Sequence, residues 1–172
     1  MNNCFRALIL LTTLTSVSGY SVAKANQQQL TAALLYKLSA YATFPEQVNT
    51  MTFCFVGSGS FTVANALQAK VRSGAVPNNA SIKTMTSYSS ITSGECQFIY
   101  SAPAIRIHRK EVRRLSEFAL TVADNSELLK NGNIMSITFV NDKPVISFSQ
   151  SHLKASTINI NSQLLRYVNK LQ

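Results

Sequence analysis

Two cysteines and two histidines carry most of the side-chain chemistry that this sequence offers. Cys54 and Cys96 lie 42 residues apart, in or beside the apolar runs MTFCFVG and CQFIYSA, so they are not a CxxC redox motif. With the distant His108 and His152 they also make a poor zinc site. We predict a structural disulfide between Cys54 and Cys96, because the chain is expected to be exported to an oxidising compartment, and two buried free thiols are the alternative. No metal and no cofactor is expected.

The histidines are weak candidates for catalysis. A hydrolase of the serine type needs a base that is held in place by a third group. His108 stands in a run of cationic residues, with Glu111 as the one nearby carboxylate, and His152 has no acidic residue close to it in the sequence. The sequence also argues against a catalytic site made of two carboxylates, because only 7 acidic residues are spread along the whole chain. We therefore predict a protein that is not an enzyme.

The stretch CFVGSGSF (54–61) has the outline of a nucleotide-binding loop, since an apolar strand runs into a glycine turn and a helix. A dinucleotide fingerprint would have a third glycine where Thr62 stands and an acidic residue about 20 positions later. No Asp or Glu occurs between Glu46 and Glu95, and the Gly-Lys-Ser/Thr of a P-loop is missing. We interpret the stretch as a glycine turn followed by a helix that Ser60 caps.

The segment AIRIHRKEVRRL (104–115) has the strongest charge pattern. Its basic residues recur at helical spacing on one side, while apolar residues such as Val112 and Leu115 follow the other. An ordinary solvated helix face and a cationic surface for an acidic partner or anionic lipid head groups are both consistent with this pattern. Arg109 and Arg113 are our candidate partner-binding residues. The basic residues are Arg106, Arg109, Lys110, Arg113 and Arg114.

The first 25 residues predict a secretory signal peptide. Arg6 precedes the uncharged run ALILLTTLTSVSG, and Ala23-Lys24-Ala25 offers the small-x-small pattern of a cleavage site. The run has about 13 residues, fewer than the roughly 20 that a membrane-spanning helix needs, although an anchor that stays attached is the alternative. Residues 26–172 are the predicted mature domain, in which 14 basic and 7 acidic residues leave a net charge of +7.

Helical and strand-like patterns alternate along the rest of the chain, and Asn141-Asp142 has the form of a hairpin turn. This alternation predicts a single three-layer α/β domain, with a mostly parallel sheet, covering helices and a C-terminal antiparallel hairpin. The first helix is expected to bury Leu30, Leu34, Leu38 and Tyr41, and the last to bury Ile160, Leu164, Leu165 and Val168. Helices are predicted at 27–42, 60–72, about 105–118, 126–132 and 160–171, and strands at 51–57, 81–88, 96–102, 118–124, 134–140 and 143–149.

The predicted hairpin is a candidate docking surface. Its period-two pattern places Met135, Ile137 and Phe139 on one face, and Ile146 and Phe148 follow across the turn. We expect one face to stay apolar where the sheet ends, with Ile146 and Phe148 as candidate partner contacts. The alternatives are that helices cover both faces, or that the strip forms a homodimer seam.

Several segments together resemble the YfiR-like family. LTAALLYKLSAYATFPEQ is similar to the opening helix of that family, which runs into an aromatic–Pro pair. TFCFVGSGSF and ECQFIYSA are similar to its two cysteine-bearing strands, and LTVADNSELLKNGNIMSITFVNDKPVISFS and INSQLLRYVNKL to its closing region. The chain departs from the family in having Phe44 in place of the usual Trp, Ser and Gly in a loop that is usually acidic, and no second cysteine pair. The resemblance spans nearly all of residues 30–171.

This resemblance implies a periplasmic protein that represses an inner-membrane diguanylate cyclase. It would bind the periplasmic sensor domain of the cyclase and thereby lower cyclic di-GMP and biofilm formation. The partners that follow are this sensor domain, a second copy of the chain in a homodimer and a transient contact with the membrane surface, with no nucleic acid. The alternative is a periplasmic small-ligand receptor that uses the crevice at the carboxyl ends of the parallel strands.

Overall fold

A computed structural model describes residues 19–45, 48–76, 79–102, 109–166, 168 and 170–171. Residues 1–18, and with them most of the predicted signal peptide, lie outside the described residues, as do Arg106 and His108. The α-helices are α1 (Gly19–Ser39), α2 (Phe61–Arg72), α3 (Arg109–Ser116), α4 (Gln150–Ala155) and α5 (Ser162–Leu165). The strands are β1 (Ala42–Thr43), β2 (Met51–Val56), β3 (Ala80–Met85), β4 (Phe98–Ser101), β5 (Leu120–Ala123), β6 (Met135–Val140), β7 (Lys143–Phe148), β8 (Asn159–Ile160) and β9 (Lys170–Leu171).

The main sheet has the strand order β3-β2-β4-β5-β6-β7-β9. Strands β3, β2, β4, β5 and β6 are parallel neighbours, and β7 pairs antiparallel with β6. Strand β9 then pairs in parallel with β7. The structure confirms the predicted α/β class, a mostly parallel sheet with a C-terminal antiparallel hairpin. The chain winds from β2 outward to β3 and then returns to β4, so the order reverses between β2 and β4.

The central strands are covered on both faces. Successive residues of a strand point to opposite faces of a sheet. In β2, Phe53 and Phe55 enter one cluster together with residues of α1 and α2. Cys54 and Val56 enter a second cluster, on the face that α3 covers. This explains why β2 has no polar alternation, since a strand between two helix layers needs apolar side chains on both sides.

Helix α1 buries a face centred one residue later than predicted. Ala32 and Leu35 are fully buried and Leu38 is nearly so, whereas Leu30 and Leu34 are only half-buried. The prediction was right for Leu38 and placed the centre of the face wrongly for the other leucines. Ala32 has a small side chain at this contact, so the helix can approach its neighbours closely there, a feature that leucine spacing alone does not reveal.

The predicted C-terminal helix over 160–171 is wrong. Ile160 belongs to β8, where it pairs antiparallel with Ala42, and the Asn161 N–H donates to the Tyr41 carbonyl at 2.9 Å. Helix α5 is a single turn, and the Asn161 side chain accepts from the Gln163 N–H at its start. Short helices are marginal by themselves. The strand partners on both sides of this turn therefore prevail over the helical periodicity.

Two predicted turns are confirmed. Val140 pairs with Lys143, and Asn141 and Asp142 between them have φ values of 49° and 59°, as a two-residue type I′ hairpin requires. Gly132 ends the short helix at 126–131 with a φ of 114°, which favours glycine.

The predicted cap at Ser60 is wrong in its detail. Ser60 precedes α2, but its hydroxyl donates to the Gly57 carbonyl at 2.7 Å and does not accept from the first turn of the helix. The cause is a turn of 3-10 helix over Ser58–Ser60 that leads directly into α2.

Candidate functional site

Cys54 and Cys96 form a disulfide, as predicted, and the alternative of two free thiols is excluded. The bond connects β2 with the segment that leads into β4. Cys54 is 0% exposed and Cys96 is 1% exposed, so a thiol in solution can reach the sulfurs only after the core opens. The bond is therefore a structural crosslink between two central strands.

The expected apolar face of the hairpin is not exposed. Ile146 is 9% exposed and Phe148 is 0% exposed, and both pack in the core cluster that contains the buried residues of α1. The exposure predicted for these two side chains is wrong, because a helix layer covers this face and β9 pairs with the end of β7. For this face, the structure agrees with the alternative interpretation that helices cover the hairpin. At the hairpin tip, Val140 is 58% exposed.

Helix α3 carries the predicted cationic face. Val112 and Leu115 are buried, while the four basic residues on the other side are exposed. Within the described part of the chain the ion pairs are Lys83–Glu95 and Lys130–Glu127, so none of the α3 cations has a carboxylate partner there. The exposed basic residues are Arg109, Lys110, Arg113 and Arg114, and with Glu111 and Glu117 they line a shallow surface hollow.

Two contacts hold this face in place. The Arg114 guanidinium donates from Nη2 to the Ile91 carbonyl at 3.1 Å. The stem of Arg113 lies against Gly132, where a β-carbon would come within 2.6 Å of the Arg113 Cγ. Charges held on a rigid helix and left without partners create a positive potential that attracts an acidic surface. The face is too open to enclose a small anion, so it is suited to a protein or membrane surface.

A second polar site lies where the parallel strands end, and the sequence did not identify its residues. Tyr88 follows β3, Ser101 ends β4 and Asp124 follows β5. The Asp124 N–H donates to the Ser101 carbonyl at 3.3 Å, so the ends of β4 and β5 are joined. Tyr88 and Ser101 are each 1% exposed. The crevice predicted at the carboxyl ends of the strands corresponds to the position of this site. The sequence signal that could have identified it is an acidic residue, Asp124, directly after a buried strand.

The electrostatics of this site follow from its burial. Burial raises the pKa of Asp124 to about 6, although its own backbone N–H acts in the opposite direction. Burial also raises the pKa of Tyr88, which the Ser101 hydroxyl lowers in part and the Asp124 charge raises further. The pKa of Tyr100 is raised by burial and then by Asp124. Both tyrosines are therefore neutral at physiological pH, beside a carboxylate that titrates near pH 6.

The histidines and the acidic residues form no recognisable catalytic or metal site in the described residues. The half-buried His152 has its Nδ1 at 3.3 Å from the Asn133 carbonyl oxygen. No group of three or more His, Cys, Asp or Glu side chains that could hold a metal ion occurs in the ranges that the structure covers. In the same ranges, no helix is both long enough and apolar enough to cross a membrane.

Solved structures share this fold. One is a conserved domain protein from Vibrio cholerae O1 biovar El Tor strain N16961, with 9% identity, a TM-score of 0.52, and coverage of 84% of this chain and 60% of the other. Another is the ABC domain in complex with L-Trp from Streptococcus pneumonia, with 10% identity, a TM-score of 0.54, and coverage of 86% and 62%. The chain thus spans about 60% of the length of either structure, and the likeness shows the fold alone.

Sequence comparison identifies the family. No curated protein has a matching sequence. A family model described as YfiR/HmsC-like matches residues 28–168, which is most of the chain and includes both cysteines, α3 and the hairpin. The order of buried strands, the disulfide and the closing hairpin agree with the segments that resemble this family in the sequence. The chain belongs to the YfiR/HmsC-like family.

Proposed function

We propose that this protein represses an inner-membrane diguanylate cyclase by binding the periplasmic sensor domain of that enzyme. Membership of the YfiR/HmsC-like family indicates a periplasmic regulator of diguanylate cyclase signalling, and the members of this family are regulatory proteins. Repression, rather than another form of regulation, is the finer statement that we add. A buried disulfide fits the oxidising periplasm. The signal peptide would direct export and would be removed near Ala25.

The single observation that favours a binding role is the cationic face of α3. Long basic side chains usually find acidic partners or lie scattered over a surface. Here four of them occupy one eight-residue helix without an ion pair in the described residues. An acidic face on the partner would be attracted from solution by this potential and aligned by it.

Repression would operate through a shift of populations. If this protein binds the inactive form of the sensor domain more tightly than the active form, binding moves the cyclase toward the inactive form. A ratio of about 100 between the two affinities would shift the equilibrium by the same factor. A signal that weakens binding would release the enzyme. Dimerisation and contact with the membrane surface remain predictions.

Deletion of the gene for this protein is expected to raise cyclic di-GMP and to increase biofilm formation, because the cyclase loses its inhibitor. The measurement is cyclic di-GMP by mass spectrometry in the deletion strain, the parent and a strain that also lacks the candidate cyclase. The double deletion should return to the parent level. Flat cyclic di-GMP in the single deletion, with the cyclase present and expressed, would refute repression.

Charge reversal on α3 is expected to weaken binding to the sensor domain while the fold is kept. The variant is Arg109→Glu with Arg113→Glu, since glutamate retains the Cβ and Cγ atoms that lie on Gly132. We expect the association rate to fall by about tenfold or more and its dependence on salt to decrease, because steering by exposed charges is screened over about 8–10 Å. Surface plasmon resonance at several salt concentrations measures both quantities.

The matched control is Lys70→Glu with Arg72→Glu in the last turn of α2. It changes the net charge by the same amount, and α2 packs on the opposite face of the sheet from α3. Both variants should keep the far-UV circular dichroism and melting temperature of the wild type. An equal loss of binding in the two variants would mean that net charge matters and α3 does not. Unchanged binding in the α3 variant would make this helix an ordinary solvated face.

A further inference from the structure

Three buried oxygen atoms lie near the carboxyl ends of the parallel strands, and none of them makes a short hydrogen bond within the described residues. They are the Tyr88 hydroxyl, the Ser101 hydroxyl and Oδ1 of Asp124. The Ser101 hydroxyl and the Asp124 carboxylate both lie near enough to Tyr88 to affect its pKa. A buried polar atom that makes no hydrogen bond has lost its hydrogen bonds to water without replacing them, so three together require an explanation.

The position of these atoms is the one at which α/β sheets bind ligands. The chain winds in opposite directions from β2 toward β3 and from β4 onward, and a crevice opens at such a reversal beyond the carboxyl ends of the strands. Tyr88 comes from the loop after β3, Ser101 from the end of β4 and Asp124 from the loop after β5. Strand β2 lies between β3 and β4 in the sheet, so the loop that carries Tyr88 begins two strands away from Ser101.

A row of small side chains runs from this cluster across the neighbouring strands. Ser101, Ala123 and Ser136 are register partners on three adjacent strands. Their neighbours along the strands, such as Tyr100 and Ile137, enter the cluster on the α1 side, so these three residues face the α3 side. Ser101 and Ser136 are buried, and both hydroxyls are without a partner among the described residues. Ser101 is the member of this row that belongs to the cluster, and Ser136 lies two strands away from it.

We propose that Tyr88, Ser101 and Asp124 bind the primary ammonium group of a small amine ligand. A primary ammonium has three N–H donors and no acceptor, and the three oxygens supply three acceptors. The Asp124 side chain is only partly buried, so the group can enter past its carboxylate while the hydroxyls lie deeper. Tyr88 packs with the buried side of α3, whereas the cationic face of that helix points to solvent, so this site is separate from the cationic face and does not depend on the proposed repression.

The charge of the site selects a cation. The Asp124 carboxylate would repel an anion. A neutral donor would form a weaker hydrogen bond with this carboxylate than a charged donor does. The tyrosines remain neutral beside it, since burial and Asp124 raise the pKa of each. Burial raises the pKa of Asp124 to about 6, so at pH 5 only about a tenth of the carboxylate is ionised. Affinity for an amine should therefore be about tenfold lower at pH 5 than at pH 7.5.

The test uses propylammonium chloride as the probe and the purified, disulfide-bonded protein. A ¹H–¹⁵N NMR titration at pH 7.5 follows the amides of Ser101 and Asp124. We expect saturable shifts with propylammonium and none with trimethylpropylammonium, which carries the same charge without N–H donors. Asp124→Asn should weaken binding by about tenfold or more, and Tyr88→Phe by about threefold to tenfold, the usual range for charged and neutral hydrogen bonds.

Ser136→Ala is the matched control. It removes an equally buried and unpaired hydroxyl two strands away from Ser101, or about 10 Å, too far to contact the same ammonium group. Its affinity for propylammonium should equal that of the wild type, and the amide spectra of all variants report whether the fold is kept. Equal shifts from the two probes, or equal affinity in wild type and Asp124→Asn, would overturn the proposal and assign the three oxygens to buried water.

Discussion

Phe148→Ala is expected to lower the free energy of unfolding by about 3–5 kcal/mol, and Phe148→Asp to prevent folding. The side chain is 0% exposed and lies in the core cluster that also contains the buried residues of α1. Alanine leaves a cavity there, and aspartate would bury a charge without a partner. Urea unfolding followed by circular dichroism measures the first effect, and the yield of soluble protein with the one-dimensional NMR spectrum measures the second.

Val140→Asp is the matched control on the same hairpin. Val140 is 58% exposed at the tip, so a charge there stays in water and the midpoint of unfolding should change little. This pair of variants separates folding from recognition. If Val140→Asp weakens binding to the sensor domain, the tip belongs to the interface. A folded and stable Phe148→Asp protein would show that this part of the core is not packed as described.

Removal of the Cys54–Cys96 disulfide is expected to lower the free energy of unfolding by about 2–5 kcal/mol, as for native disulfides of small secreted domains. The crosslink closes a loop across a sequence separation of 42 residues, which restricts the unfolded chain. Because both sulfurs are buried, the variant with both cysteines replaced by alanine also loses some packing. Urea unfolding of the oxidised wild type and of this variant measures the difference.

A reductant distinguishes the crosslink from the packing. Dithiothreitol should lower the unfolding midpoint of the wild type and leave that of the double alanine variant unchanged. A single change, Cys54→Ser, should be at least as destabilising as the double variant, because it also buries a hydroxyl and a free thiol. Equal midpoints for oxidised wild type and the double variant would mean that the disulfide contributes nothing to stability.

Local patterns were enough to predict much of this domain. The uninterrupted apolar run of β2 indicated a strand between two layers, and Asn141-Asp142 indicated a two-residue turn. The alternation of basic and apolar residues after position 108 indicated an amphipathic helix with Val112 inside. The pairing of Cys54 with Cys96 followed from the prediction of an exported chain, in which these two cysteines remain after the signal peptide that contains Cys4 is removed. Each of these signals depends on a few adjacent residues or on composition. It therefore predicts structure without knowledge of the residues that lie nearby in space.

Only the tertiary structure decided the features that depend on a distant partner. The helical spacing from Ile160 onward predicted a helix, but Ile160 lies in a strand because it pairs with Ala42. The hairpin side chain of Phe148 is buried in the core cluster that also contains residues of α1, and β9 pairs with the end of β7, although the strand pattern is the same as that of an exposed edge. Tyr88 and Asp124 are 36 positions apart, and no periodicity connects them. They meet because parallel strands bring their carboxyl ends to one edge of the sheet, which the sequence encodes only through the order of the strands.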